Sequence, residues 1–248
     1  MSELSAPLSA PTTPLPELPQ TLDMAIDQAR TATQAAIAAG YSRLQVELLF
    51  PELKPMPVAE QYLTQFADLG EHLKVFFADA GAAALARRDW GGVTFQIRGV
   101  AELVEPVQPT DQAFVFVAPT PVEVLQIEAM AKNAGERPFI LLNPKLQDVS
   151  IVGIGYAGRQ LRERFLNTIE PCYYLRPLEG AAVMRVYPFP WQVWLEEADG
   201  SYRLVASEME RPGTERVEEI LSQASQTTTA ARPSFLATMQ RFLRALSQ

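Results

Sequence analysis

Apolar positions along the chain switch between two periods, and the switching predicts the architecture. Leu22, Ala25, Ile26, Ala29, Thr33, Ala36 and Ile37 recur at helical spacing behind Thr21, a helix-capping residue type, and Gly40 follows as a stop. Residues 43–50 then form a β-type run ended by Pro51, and 73–78 and 94–100 form two more. Residues 113–118 and 139–142 are nearly continuous apolar runs, the pattern of strands covered on both faces. Helical patterns fill the gaps over about 57–69, 80–88 and 122–134, and another follows over about 156–169. Strands alternating with helices of this length predict βαβ crossovers and a mainly parallel, Rossmann-like sheet with helices on both faces. Beyond it the pattern shortens: 172–177, 181–187, 191–197 and 202–207 read as strands, with Asp199-Gly200 as a hairpin turn. An antiparallel C-terminal meander is therefore expected to extend the parallel sheet.

The flanks differ in kind. Residues 1–20 carry Pro7, Pro11, Pro14, Pro16 and Pro19 among Ser, Thr and Ala and have no apolar period, so they read as a disordered, polyproline-like arm. Residues 21–222 read as one α/β domain and 223–232 as a polar linker. In 233–248, Phe235, Met239, Phe242 and Leu246 fall at helical spacing beside Arg241 and Arg244, which predicts a basic amphipathic helix.

Composition changes the picture by exclusion. The 248 residues include 21 Lys and Arg against 29 Asp and Glu, a net charge of -8, which excludes a duplex nucleic-acid binder. One histidine, His72, and one cysteine, Cys172, supply neither a structural zinc site nor a disulfide within the chain, and a Ser-His-Asp or Cys-His mechanism would have to run through His72 alone. The first cation is Arg30 and no apolar run nears the roughly 18 residues of a membrane span. The expectation is a cytoplasmic protein with, at most, peripheral membrane contact. The charge is also uneven: past Glu219 come Arg232, Arg241 and Arg244 and no carboxylate. Taking those three from 21 leaves 18 cations against 29 acids, a body at -11 and a tail at +3.

Two places invite a ligand. Gly153, Gly155 and Gly158 fit G-x-G-x-x-G, whose glycines allow a tight turn and close backbone approach to a pyrophosphate at a helix N-terminus, with Arg159 and Arg162 adding charge. The context departs from a dinucleotide fingerprint, because several βα units precede it and no acidic residue ends the next strand, so a simple change of direction is the expected role. The second place is the carboxyl edge of the parallel strands, where Asp79, Asn143 and Lys145 are expected to converge. Each has a plain alternative: a helix cap, an Asx-turn and a solvated lysine. Glu196-Glu197 and Glu218-Glu219 read as solvated, His72 as a neutral packed or exposed side chain, and Cys172 as a small core residue. Trp191 and Trp194, three positions apart on a strand, are expected on opposite sides, one of them exposed for a partner. No catalytic residue, metal ligand or cofactor is assigned.

Several stretches carry a family resemblance: residues 22–40 followed by Arg43-Leu-Gln-Val-Glu-Leu-Leu-Phe-Pro51, then Arg137-Pro-Phe-Ile-Leu-Leu-Asn-Pro-Lys-Leu146, Tyr173-Tyr-Leu-Arg-Pro177, and Tyr187-Pro188 with Pro190-Trp191-Gln-Val193. Together, over about residues 20–207, they resemble a domain of unknown function found in cyanobacteria and plastids. Plastid members include a factor for photosystem II accumulation, associated with assembly of its inner antenna subunit, and a domain appended to a plastid adenylate kinase. The resemblance implies a photosynthetic organism, a cyanobacterial member given the missing transit peptide, and an auxiliary role at or near the thylakoid. It supplies no active-site residues. The expected function is a non-enzymatic assembly factor near photosystem II, contacting a photosystem subunit or another assembly factor through Trp191, Trp194, Phe235, Met239, Arg241, Phe242 and Arg244. The alternative is a nucleotide- or phosphometabolite-binding enzyme using residues 153–158 or the strand edge.

Overall fold

The computed structural model describes residues 14–102, 106–146 and 156–226. The chain opens with α1 (Leu22–Ala38), where Thr21 accepts a hydrogen bond from the Met24 amide as its N-cap. Gly40, at φ 93°, lets the chain reverse with its amide on the Ile37 carbonyl. There follow β1 (Arg43–Leu48), α2 (Pro55–Leu63), β2 (Leu73–Phe77), α3 (Ala80–Asp89), β3 (Gln96–Gly99), β4 (Ala113–Val117), α4 (Val124–Ala134), β5 (Phe139–Leu142) and α5 (Tyr156–Arg164). Four longer strands come next: β6 (Glu170–Leu178), β7 (Ala181–Val186), β8 (Trp191–Glu196) and β9 (Tyr202–Glu208), then α6 (Thr214–Gln226).

Among the described residues these strands form one sheet, ordered β3-β2-β4-β5-β1-β6-β7-β8-β9. Pairing is parallel from β3 through β6 and antiparallel from β6 to β9. The fold is thus the mixed α/β sheet with an antiparallel extension that the periodicity predicts. β2, β4 and β5 are buried at every position because helices lie on both sides. On the first face, α1, α2 and α3 cover Leu44, Val46, Val75, Val115 and Ile140. Ala25, Ala29, Ala32 and Ala36 line the inner side of α1, and their small side chains bring that helix close to the sheet. On the second face, α4 and α5 cover a phenylalanine core in which Phe76 stacks on Phe116 and Phe116 meets Phe139. Further along that face, α6 covers a separate core of Tyr174, Val183, Trp191 and Val193.

Several boundaries differ from the periodic reading. The helix expected over 57–69 starts at Pro55 and tightens into a 3-10 helix, Thr64–His72, in which Gly70 takes φ 51°. The helix expected over 156–169 ends at Arg164 and is followed by a 3-10 turn. α6 runs through Gln226, four residues into the segment read as a linker. The arm expected to be disordered over 1–20 is held at its end, with Leu18 in the first-face core and Gln28 donating to the Glu17 carbonyl. Residues 1–13 and the helix expected over 233–248 lie outside the described residues.

One strand residue breaks the apolar pattern for a structural reason. Lys74 points to the second face near the amino end of β2, where its Nζ lies 2.9 Å from Asp111 Oδ2 with both side chains 3% exposed. The lysine also donates to the Pro106 carbonyl, and Asp111 accepts from the Gln108 amide at 2.6 Å. Arg137 adds hydrogen bonds to the Gln108 and Asp111 carbonyls and lies over the Phe114 ring. The buried pair thus pins the segment leading into β4. Removing one partner leaves an uncompensated buried charge. Lys74→Met is therefore expected to destabilise the fold by about 3–5 kcal/mol, whereas Lys74→Met with Asp111→Leu recovers most of that loss. Urea denaturation of both variants checks this, and an equal loss in the two is the result that contradicts it.

Candidate functional site

The carboxyl edge of the parallel strands is knitted together by backbone geometry. Glu52, Ala118 and Asn143 follow β1, β4 and β5, three neighbours in the sheet, and all take left-handed backbone conformations, with φ of 60°, 48° and 48°. Asn143 Oδ1 accepts from the Leu48 amide at 2.7 Å, joining the ends of β5 and β1 across the sheet instead of closing a local Asx-turn. The Ala118 amide donates to Leu142 and the Lys145 amide to Pro119. Asp79 caps α3 through the Ala82 amide at 2.8 Å, and Thr120 with Glu123 forms a capping box ahead of α4. The three edge residues therefore do not converge. Asp79 is held at a helix start beyond β2, Asn143 is turned toward β1 on the far side of β4, and Lys145 is exposed. Gly153 and Gly155 lie outside the described residues; Gly158 and the exposed Arg159 lie in the first turns of α5.

The single histidine and cysteine have structural placements. His72 closes the 3-10 helix, with Nδ1 at 2.9 Å from the Thr110 carbonyl. Among the described residues no group of three His, Cys, Asp or Glu side chains is placed to hold a metal ion. Cys172 is fully buried beside Thr33 and donates to the Gln45 carbonyl at 3.4 Å, while Thr33 and Tyr62 share a 2.7 Å hydrogen bond. Burial pushes the Cys172 thiol up to about 12. The neighbouring Tyr62 hydroxyl is raised for the same reason.

The tryptophans correct an expectation. They do lie on opposite sides of β8, but neither is presented to solvent. Trp191, 2% exposed, sits under α6 with Tyr174 and Val193, and Trp194, 9% exposed, belongs to the first-face core. Alternation along a strand assigns a side chain to a face. Whether that face is covered depends on elements distant in sequence, and here both are. The other proposed contacts, Phe235, Met239, Arg241, Phe242 and Arg244, lie outside the described residues.

Around Trp191 is a cluster that residue pattern alone did not reveal. The short connection from β9 to α6 carries Arg211 over the Tyr174 ring at 4.4 Å and the Trp191 ring at 5.6 Å. Arg211 donates to the Tyr174 hydroxyl at 3.0 Å, and its Nη1 lies 3.6 Å from Glu47 Oε2. Glu47, on the central strand β1, is only 1% exposed. Its carboxyl is raised above the ordinary range chiefly by burial, with Arg211 and a hydrogen bond from Gln45 working the other way. On the other side of the cluster Arg185 lies over Trp191 and pairs with Glu170. These contacts fix the start of α6, whose Val217 and Ile220 then seat on the sheet.

Seating α6 this way opens a groove of about 610 Å³ between it and β9. Val205, Ala206 and Ile220 give it an apolar floor, and Glu197, Arg203 and Arg216 a charged rim. The rim charges are paired: Arg203 with Glu197 at 2.6 Å, and Arg216 with Glu208 and Glu219 at 2.8 and 2.7 Å. Among the described residues β9 is the outermost strand, paired on one side with β8, and a bulge sets Val205 out of register with its neighbours. The groove thus combines an open strand edge, apolar floor and ionic rim, the features with which proteins take up extended segments.

Three expectations follow from Glu47, Arg211 and Cys172. A carboxyl whose folded-state pKa is raised disfavours its charged form, so the wild type gains stability as pH falls through that raised value toward the unfolded one. Glu47→Gln is therefore expected to melt above the wild type at pH 8, with the difference closing in the acid range. Arg211→Ala is expected to cost about 1–3 kcal/mol, discounted for the partly exposed guanidinium, and less in the Glu47→Gln background. Melting curves at both pH values check the signs. Cys172, fully protonated at neutral pH and buried, is expected to react with a disulfide reagent only at the rate of unfolding; rapid labelling of the native protein contradicts this.

No solved structure matches the chain. A family model matches residues 19–219, a span that begins just before α1, takes in all nine strands and ends within α6. The chain therefore belongs to the family described as a domain of unknown function (DUF1995).

Proposed function

We propose that the protein is a non-enzymatic auxiliary factor of a photosynthetic cell. It acts by protein–protein contact near photosystem complexes, photosystem II foremost, and meets the thylakoid surface peripherally. The observation that carries the reading is the β9–α6 groove. The β9 edge, unpaired among the described residues, provides backbone donors and acceptors, the floor gives burial to one or two apolar side chains, and the rim gives register through charge. That is equipment for gripping a segment of another chain. Asp79, Thr120, Glu123 and Asn143, at the carboxyl ends of the parallel strands, are by contrast engaged in capping and strand-stapling. Membership of the domain family supports the photosynthetic setting through the resemblance described above. Contact with a membrane would be peripheral: among the described residues no helix is long and apolar enough to cross one.

The test is co-purification of the full chain from thylakoid and soluble fractions, with captured proteins identified by mass spectrometry. The variant for comparison is Arg203→Ser with Arg216→Ser. These rim pairs are exposed and worth about 0–1 kcal/mol each, so the double variant keeps its fold. The expected outcome is a photosystem II subunit or assembly factor captured by the wild type and at least tenfold depleted with the variant, the loss of a few rim contacts. Equal capture by both removes the groove from the account, and a wild type that captures no photosynthetic protein overturns the function.

A further inference from the structure

α4 and α5 lie side by side on the second face, joined where Arg164 bonds Glu128 through two nitrogens at 2.5 and 2.9 Å. Their inner sides pack on the phenylalanine core. Outside, Val122, in the turn that opens α4, is 87% exposed and Leu125 is 63% exposed, with Ala129 exposed one turn further on. The spacing makes an apolar ridge along one side of the helix, and the Thr120–Glu123 capping box holds its start rigid. Arg159 and Arg162 of α5 and Lys145, three residues past β5, are also exposed, and among the described residues none of the three is in an ion pair. Over the two helices Lys132, Arg159, Arg162 and Arg164 outnumber Glu128 and Glu163 by two, on a chain whose net charge is -8. The layer is a locally basic, apolar-ridged surface on an acidic protein.

We propose that this α4–α5 layer docks on an anionic lipid surface, with Val122 and Leu125 entering the interfacial region and Arg159, Arg162 and Lys145 meeting the headgroups. The ridge is convex and presents two large aliphatic side chains, far less than the roughly 800 Å² per partner of a stable protein interface. A bilayer interface demands no complementary shape; it rewards inserted apolar groups and adjacent cations. The acidic remainder is repelled by the same surface, so charge selects which side faces the membrane. The proposal deepens the thylakoid contact put forward above and uses a surface separate from the β9–α6 groove, so each fails without the other.

The test floats the full chain with vesicles of phosphatidylcholine alone and of phosphatidylcholine mixed with phosphatidylglycerol. Flotation is expected only with the mixture and is expected to weaken as salt is raised. Arg159→Ser with Arg162→Ser weakens binding by about fivefold for each arginine lost. Val122→Ser with Leu125→Ser also weakens it, and both variants keep the wild-type melting curve because the side chains are exposed. A tail variant, Arg241→Ser with Arg244→Ser, separates this surface from the C-terminal segment and is expected to float like the wild type. The proposal is overturned by absence of flotation, by loss confined to the tail variant, or by α4–α5 variants that float normally. Displacement by inorganic phosphate at matched ionic strength also overturns it, because that marks a site for a free anion.

Discussion

Everything in this fold turns on β6, the strand that must end a parallel sheet and begin an antiparallel one. It pairs with β1 in one sense and β7 in the other, so its backbone groups are claimed from both sides. A proline in such a strand is ordinarily excluded, since it lacks a ladder donor. Pro171 is accommodated because it precedes the pairing with β7, which begins at Tyr173. Just beyond it the register against β1 slips between Gln45 and Val46, leaving Cys172 as the extra residue. The slip sends Cys172 and Tyr173, neighbours in sequence, into the same first-face core, and Tyr174 to the opposite side. The Cys172 thiol then bonds the Gln45 carbonyl at the irregularity, and its own carbonyl accepts from Tyr187. One inserted residue thus sets the facing of every side chain beyond it.

The second face inherits the consequence. Its cover is in two pieces, α4 with α5 over the phenylalanines and α6 over Tyr174 and Trp191, and Glu47 lies on the strand between them. A buried carboxylate is costly unless paired. Arg211 supplies the pairing while stacking on two aromatic rings, so the same guanidinium serves charge, ring and hydroxyl partners. Because that arginine stands three residues before α6, its placement also decides where α6 lands. The groove along β9 is what remains when α6 seats on β8 and leaves the outer strand half covered.

Features set by local chemistry were legible in the sequence. Thr21 and Gly40 bound α1 because capping and left-handed geometry involve only a few neighbouring residues. The apolar runs at β4 and β5 announced strands covered on both faces. What escaped depends on contacts across the chain. Asn143 bonds an amide 95 positions away, so its side chain could be read only as a local turn. Lys74 sits in an apolar run, and only folding brings Asp111 to it. Strand alternation puts Trp191 and Trp194 on opposite sides of β8 but says nothing of the elements that cover each of them. The site was less legible still. Val217 and Ile220 suggest a packed helix face, yet no local pattern connects Arg211 with Glu47 or β9 with α6.

The net charge is the clearest case of a sum that conceals a structure. The helices that cover the sheet present outer surfaces of different character. On the first face, Asp23, Asp27, Glu60, Asp68, Glu71 and Asp89 stand against Arg30, Arg87 and Arg88 along α1, α2, the 3-10 helix and α3. On the second, α4 and α5 carry a cationic excess, while Glu215, Glu218 and Glu219 against Arg216 make α6 acidic. The inner sides of the two layers are equally apolar, so the difference contributes nothing to holding the sheet, and exposed charges at such spacings add little stability. Charge that folding does not require is free to serve orientation instead. A sheet covered on both faces buries its own chemistry, and what is left to distinguish one side of the molecule from the other is the solvent face of its helices. Read along the chain, acids and cations mingle. Folded, they sort by helix, and the α4–α5 layer gives an acidic protein one surface that an anionic partner does not repel.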